Sequence, residues 1–142
     1  MLLTAIIAYL GLFAGVIVSY LSRDELSIGR IYFHLSQAAI LSCLAVITLY
    51  LHYAWWVGAF ILLSLLLYIF SWRLPSQSVV IYPLLAVVLL WNSVSPTSSA
   101  LNASLIFLYG IPTASLQLNR GWTYPMLYNL GFIGVTTVVL LL

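Results

Sequence analysis

Long apolar runs separated by short polar breaks fill almost the whole chain. A helix that crosses a bilayer core needs about 20 residues, with a range of roughly 17–25, and the runs match that length. The breaks have to lie at the membrane surfaces, because unpaired backbone groups cannot face lipid. We therefore predict six membrane-spanning helices. Their approximate bounds are 2–21, 31–51, 53–72, 76–92, 99–118 and 125–142.

Composition supports an integral membrane protein. Of the 142 residues, 65% are apolar and 4% are charged, whereas a soluble domain has about 25% charged residues. The mean hydropathy is +1.20. Six charged side chains could not cover a water-facing surface, so we predict an all-α, polytopic helical bundle that forms a single transmembrane domain over residues 1–142.

The arginines predict the orientation. With six spans, all four fall in the first, third and fifth loops, which share one side, and the other two loops and both termini carry no charged side chain. Basic loops face the cytoplasm, so we expect both termini outside, a multi-pass protein of the plasma membrane, and Arg-bearing loops that are cytoplasmic. The residues are Arg23, Arg30, Arg73 and Arg120.

Several chemistries are excluded by the residues that the chain lacks. Without lysine there is no Schiff base, and with Cys43 as the one cysteine there is no intrachain disulfide or thiolate zinc site. His34 and His52 lie at opposite ends of one predicted span, about 27 Å apart, and cannot share a metal ion. A net charge of +2 is too small for nucleic-acid binding. We expect no cofactor, no metal and no enzymatic activity, with a lipid-headgroup enzyme as the minor alternative.

The fifth predicted span carries a polar face. Four of its polar side chains cover only about 80° of arc at 100° per residue, and Pro112 lies among them, where it is expected to free a backbone carbonyl and kink the helix. Asn129 and Thr136 of the last span are placed to meet this face. Two interpretations stay open: helices joined by side-chain hydrogen bonds, or a polar path with a broken helix at a binding site. The four side chains are those of Asn102, Tyr109, Thr113 and Gln117.

Small residues mark two helix-packing faces. Gly11, Gly15 and Ser19 recur at every fourth position of the first span, and Gly131 and Gly134 lie in the last. Small residues let helix backbones approach closely in a membrane. The first face predicts packing within this chain or, alternatively, a groove for a partner subunit.

One charged cluster lies between the first two spans. Ser22 and Glu25 have the spacing of a helix-capping box, and Gly29 suits a left-handed helix stop before the next span begins. The purely structural interpretation is an interfacial turn between the two spans. The functional one is a docking site for a partner or a lipid headgroup, with the candidates Arg23, Asp24, Glu25, Arg30 and His34.

The same region carries a resemblance. Gly11-Leu-Phe-Ala-Gly15, then Asp24-Glu25-Leu26, then Gly29-Arg30-x-Tyr32-Phe33 resembles the start of a group of small multi-span archaeal membrane proteins of unassigned function. It covers about residues 11–35, and it departs from the group's pattern at Asp24, in place of glutamate, and at Ile31, in place of a basic residue. The resemblance implies an archaeal membrane protein and supplies no activity.

Two functional classes follow. The first is a non-enzymatic accessory or scaffold subunit that packs against other membrane chains. The alternative is a small transporter or channel for an ion or a neutral solute that uses the polar face of the fifth and sixth spans. Expected partners are membrane lipids and either other membrane subunits or further copies of the chain, with no nucleic acid.

Asn102-Ala-Ser104 also matches an N-glycosylation sequon.

Overall fold

The chain forms a bundle of α-helices. A computed structural model describes residues 2–22, 26–52, 78–93, 95–118, 121 and 123–141. All helices within these ranges are α-helices apart from one 3₁₀ position at Leu118, and the described residues contain no strand, so the prediction of an all-helical fold is confirmed for them. The predicted span 53–72 lies outside the described residues. The helices are α1 (Leu2–Leu21), α2 (Leu26–His52), α3 (Ser78–Trp91), α4 (Pro96–Gln117), α5 (Tyr124–Tyr128) and α6 (Gly131–Leu141).

Three of the described helices are long and apolar enough to span a membrane. They are the segments Leu3–Leu21 of α1, Gly29–Leu51 of α2 and Pro96–Gln117 of α4. The described part of helix α3 has 14 residues, or about 21 Å at 1.5 Å per residue, which is shorter than a span. The described residues are thus helical with three helices that could span a membrane, and the number of six spans is carried forward as a proposal.

The closest helix crossing joins α1 to α4. A Cβ built on Gly15 would lie 2.5 Å from the carbonyl oxygen of Ile111, and one on Gly11 would overlap the carbonyl oxygen of Phe107. Ser19 continues the series with a hydrogen bond to Ser115. Residue numbers rise together on both helices, so α1 and α4 run parallel. This crossing forms because neither glycine has a side chain that would hold the backbones apart.

The other helices pack around this pair, with α2 and α3 antiparallel to α4. Gln37 of α2 is bonded to Thr113, and Asn92 at the end of α3 is bonded to Asn102. The core of the bundle is aromatic. Phe132 of α6 lies 6.2 Å from the ring of Tyr9 and 5.8 Å from that of Tyr82, and the rings of Tyr82 and Tyr109 are 5.9 Å apart.

Helix α4 begins three residues earlier than the sequence predicts. Ser95 is the N-cap, its side chain accepts from the backbone N–H of Ser98, and the Ser98 hydroxyl accepts from the backbone N–H of Ser95. Pro96 occupies the first helical position, where a missing N–H costs nothing. This reciprocal cap fixes the start of α4 and thereby the register of its polar face.

Helix α4 is not interrupted at Pro112, where the expected kink stays a prediction, and the break lies elsewhere. Helix α4 continues through Pro112 from Pro96 to Gln117. The last predicted span is interrupted instead, between α5 and α6, at Asn129 and Leu130. The physical reason is that the Asn129 side chain donates to the carbonyl of Pro125 at 2.5 Å. It thereby occupies the acceptor that the backbone N–H of Asn129 would use in a continuous helix.

The expected left-handed stop at Gly29 is wrong. Gly29 lies inside α2, which begins at Leu26, and Gly121 is the one glycine with a positive φ among the described residues. Helix α2 therefore reaches back into the charged cluster by a full turn beyond the predicted start at Ile31. The proposed capping residue Glu25 lies outside the described residues.

Candidate functional site

The polar face predicted on the fifth span is buried inside the bundle. Asn102 has no exposed surface, Tyr109 and Thr113 are 2% exposed, and Gln117 is 8% exposed. Buried polar groups in a membrane have to find hydrogen-bond partners within the protein. The partners come from four other parts of the chain, so the face is where the bundle converges.

The C-terminal half of α4 meets α2 and α1. Gln37 of α2 donates through Nε2 to the hydroxyl of Thr113 at 2.8 Å, and the Thr113 hydroxyl donates to the carbonyl of Tyr109 at 2.7 Å. The Ser19 hydroxyl lies 2.6 Å from that of Ser115. These bonds join α1 and α2 to α4 without any charged group.

An amide pair occupies the end of α4 near its N-terminus. Nδ2 of Asn92 donates to the hydroxyl of Thr48 at 2.7 Å and to Oδ1 of Asn102 at 3.4 Å. Nδ2 of Asn102 donates to the carbonyl of Ser98 at 2.8 Å, and the Ser98 hydroxyl bonds the carbonyl of Asn92. Helices α2, α3 and α4 are thus tied together around Asn92.

A second amide pair occupies the opposite end of α4, at the break of the last span. Nδ2 of Asn129 donates to Oε1 of Gln117 at 3.2 Å as well as to the carbonyl of Pro125. Around the break, the backbone N–H groups of Asn129 and Leu130 reach only the third residue back, at 3.3 and 3.4 Å. Asn129 therefore replaces a backbone hydrogen bond and fastens the broken helix to α4.

Three buried oxygen atoms along α4 have no hydrogen-bond partner among the described residues. They are Oδ1 of Asn92, the hydroxyl of Tyr82 and Oδ1 of Asn129, and all three residues have no exposed surface. Their neighbours on α4 are Asn102, Gly110 and Gln117, so the oxygens are spread from one end of the helix to the other. Each can accept a hydrogen bond, and the Tyr82 hydroxyl can also donate one; we call them the three acceptor oxygens. Each such buried group calls for an explanation, since native structures rarely leave one unpaired.

The Tyr82 hydroxyl lies at the α1–α4 crossing. A Cβ on Gly110 would be 2.8 Å from this oxygen and 2.6 Å from the backbone carbon of Gly11. Only glycine at position 110 leaves room for both the hydroxyl and the neighbouring backbone. The central acceptor oxygen is therefore held at the point where the helices approach most closely.

The remaining residues of the predicted polar path pack within the bundle or bond to their own helix. Tyr109 packs against Tyr82, and Pro112 is buried within the continuous α4. Thr136 is buried, but its hydroxyl bonds the carbonyl of Phe132 in its own helix. Asn102 has its whole side chain buried, so the predicted sequon is inaccessible to glycosylation in this fold.

The glycine-rich face of the first span is used inside the chain. Gly11 and Gly15 contact α4, and Ser19 is buried against Ser115. Of the last span's glycines, Gly131 would place a Cβ 2.9 Å from the ring of Pro83, whereas none of the described residues lies within 4 Å of a Cβ on Gly134. The alternative of a partner groove at Gly11 and Gly15 is thus wrong, and the packing role expected for Gly134 has no contact to support it.

The charged cluster is described only in part. Arg30 is exposed and His34 is half-buried, one turn apart on α2. Arg23, Asp24 and Glu25 lie outside the described residues. Within the described part of the chain, no group of three His, Cys, Asp or Glu side chains could hold a metal ion.

Sequence reasoning missed several members of the site. The sequence predicts Tyr82 to be an apolar residue within a short span and Asn92 to be the polar residue at the end of that span. Gln37 carried a usable signal, because an amide in the middle of an apolar helix is expected to face other helices and not lipid. None of these residues has a spacing pattern that points to α4, so their partners required the structure.

Comparison with models of known protein families finds no match, and comparisons with curated proteins and with solved structures find none either. The resemblance to small archaeal membrane proteins stays a prediction. The functional argument therefore rests on the geometry of this chain.

Proposed function

We propose that the chain is a non-enzymatic, six-span membrane protein that passes a small solute along the polar face of α4. The observation that carries the proposal is the row of three acceptor oxygens on Asn92, Tyr82 and Asn129. The broken helix at Asn129 adds to it, because discontinuous helices commonly form the binding sites of transporters.

Energetics favour a path over helices that are simply joined. An interhelical hydrogen bond in a membrane contributes about 0.6 kcal/mol on average. A buried acceptor without a partner costs about 1–3 kcal/mol. Each acceptor oxygen thus opposes stability by more than one of the hydrogen bonds around it contributes, which supports a role in function.

Helix directions support six spans. Thr48 and Asn92 are bonded, so the C-terminal ends of α2 and α3 lie together and these helices are parallel. Residues 52 and 78 then lie at opposite ends of the bundle, as the six-span prediction requires. This supports the third span, predicted at 53–72.

The orientation rests on the arginines and on aromatic side chains at helix ends. Tyr20, Tyr32 and Trp91 are 76%, 68% and 61% exposed, as is typical of side chains at a membrane interface. With Arg30 near the start of α2, the Gln117 end of α4 faces the cytoplasm and the Asn102 end faces outward. Both termini are then outside, in a plasma membrane.

Solute flux into liposomes tests this function. The purified chain is reconstituted, and entry of small solutes is followed by stopped-flow light scattering. Asn129→Leu and Thr113→Val should abolish flux while the protein still folds, since both change the α4 face. Thr137→Val is the matched control, because Thr137 is exposed and its hydroxyl bonds only the carbonyl of Ile133. Unchanged flux in both test variants would remove the proposal.

A second candidate, the accessory subunit, is favoured by one face of α2. Ala39, Ser42 and Cys43 are exposed in the middle of this helix, and Ser42 uses its hydroxyl on the carbonyl of Ala38. Small side chains exposed to lipid suit close packing against another membrane helix. The partner would lie on α2, since the glycine face of α1 is occupied by α4.

Cross-linking through Cys43 tests the second candidate. It is the one cysteine of the chain, so a membrane-permeable bis-maleimide can join only this position to a neighbouring thiol. A discrete cross-linked species from native membranes would support the subunit role, with Cys43→Ala as the control. A monomer under conditions that cross-link a known membrane dimer would count against it.

A further inference from the structure

We infer that the solute is a small, uncharged molecule that carries N–H or O–H donors, and this inference rests on the proposed path along α4. The three acceptor oxygens define it by their chemistry, their spacing and the groups around them.

The spacing of the oxygens excludes ions. Their levels on α4 are those of Asn102, Gly110 and Gln117, so neighbouring oxygens are separated by about 10–12 Å of helix at 1.5 Å per residue. Potassium filters replace an ion's hydration shell with rings of backbone carbonyls. The one unpaired neutral oxygen that the described residues supply at each level cannot do so. A neutral donor needs one acceptor at a time, which each level supplies.

The surroundings of the oxygens exclude anions and favour donors. Both amide hydrogens of Asn92 are committed, to Thr48 and Asn102, and both of Asn129 are committed, to Gln117 and Pro125. An amide nitrogen has two hydrogens, so the two terminal sites offer only a free acceptor. Among the described residues, Arg30 is the one charged side chain, and it is exposed. The site therefore has no charge with which to hold an ion.

The central site is the most informative position. The Tyr82 hydroxyl lies among aromatic rings and next to Gly110 at the close α1–α4 crossing, so the helices have to separate there for the solute to pass between the two terminal acceptors. Tyr82→Phe removes this oxygen and preserves the ring. No hydrogen bond with a described residue is lost, so an effect on flux is separable from an effect on folding.

The test compares solutes in liposomes that contain the full chain. Urea is the neutral donor, and potassium and chloride are the ions, each measured against protein-free liposomes. We expect urea entry at least tenfold above background, ion entry at background, and at least a fivefold loss of urea entry in Tyr82→Phe. Thr137→Val should retain the wild-type rate.

The outcomes separate the two proposals. Potassium or chloride entry above background with urea at background would overturn the inference while leaving a transport function. The absence of entry for all three solutes would overturn the transport function itself. Urea entry that is equal in wild type and Tyr82→Phe would overturn the role of the acceptor oxygens.

Discussion

The α1–α4 crossing gives the sharpest stability prediction. Gly11→Ala adds one methyl group at the point where α1 lies on α4. That carbon would overlap the carbonyl oxygen of Phe107 and lie 2.7 Å from its carbonyl carbon. The obstacle is backbone, which cannot rotate away as the end of a side chain can.

The magnitude follows from the distances. Relaxed carbon–carbon contacts lie at about 3.5–4.0 Å, so the two helices have to separate locally by about 1 Å at Gly11. Overpacking of a well-packed core costs about 1–3 kcal/mol, occasionally more. Separation here also weakens the contact between Gly110 and Gly11 and the hydrogen bond between Ser19 and Ser115. The higher helix propensity of alanine offsets about 1 kcal/mol of this cost at most, so we expect a net loss of about 1–2 kcal/mol.

The assay is reversible unfolding in mixed micelles, followed by circular dichroism. Gly134→Ala is the matched control, since no atom of the part of the chain that the structure describes lies within 4 Å of its added Cβ, and it should be neutral or stabilise by up to about 1 kcal/mol. The two variants carry the same chemical change in opposite environments. If Gly11→Ala is as stable as Gly134→Ala, the close α1–α4 crossing is refuted.

Three further substitutions test separate parts of the fold by the same unfolding assay. Ser95→Ala removes the α4 cap and should cost about 0.5–2 kcal/mol, whereas Ser104→Ala, whose hydroxyl bonds only its own helix, should change little. Tyr9→Phe breaks the bond to the Met126 carbonyl and should cost about 0.5–1.5 kcal/mol. An unchanged stability would contradict the hydrogen bond that joins α1 to α5. Thr48→Val removes one acceptor from Asn92 and should cost about 0.6 kcal/mol, with about 1.7 as the upper limit; a larger loss would show that the Asn92 cluster is cooperative.

The length and position of the apolar runs predict most helix positions well. Helix α1 occupies the predicted 2–21, and α3 and α4 fall within three residues of their predicted bounds at each end. This succeeds because an apolar run in a membrane has to satisfy its backbone internally and so becomes helical along its whole length. The start of α4 was missed because Ser98 completes the cap in the place usually taken by glutamate or glutamine.

The break in the last span could not be located by residue type alone. Proline is the usual marker of a kink, yet α4 passes through Pro112 while Asn129 interrupts its helix. Asn129 interrupts it because its amide has two acceptors at hand, one of them on α4. That second acceptor is a tertiary contact, which a local pattern does not contain.

The polar face itself was predictable, but its chemistry was not. Periodicity places Asn102, Thr113 and Gln117 on one face, and all three are buried. The acceptor oxygens, however, belong to Asn92, Tyr82 and Asn129, which contact that face from other helices. Whether a polar atom is left without a partner depends on how every neighbouring side chain is oriented, and this is decided by packing.

The measurement that tests the account most directly is urea entry and unfolding stability in the same preparation of Tyr82→Phe. The account predicts a fall in urea entry of at least fivefold, with a stability that is unchanged or higher by about 1–3 kcal/mol because a buried hydroxyl without a partner has been removed. Wild-type urea entry in a variant that folds as well as the parent would contradict the account, since the central acceptor oxygen would then have no part in passing the solute.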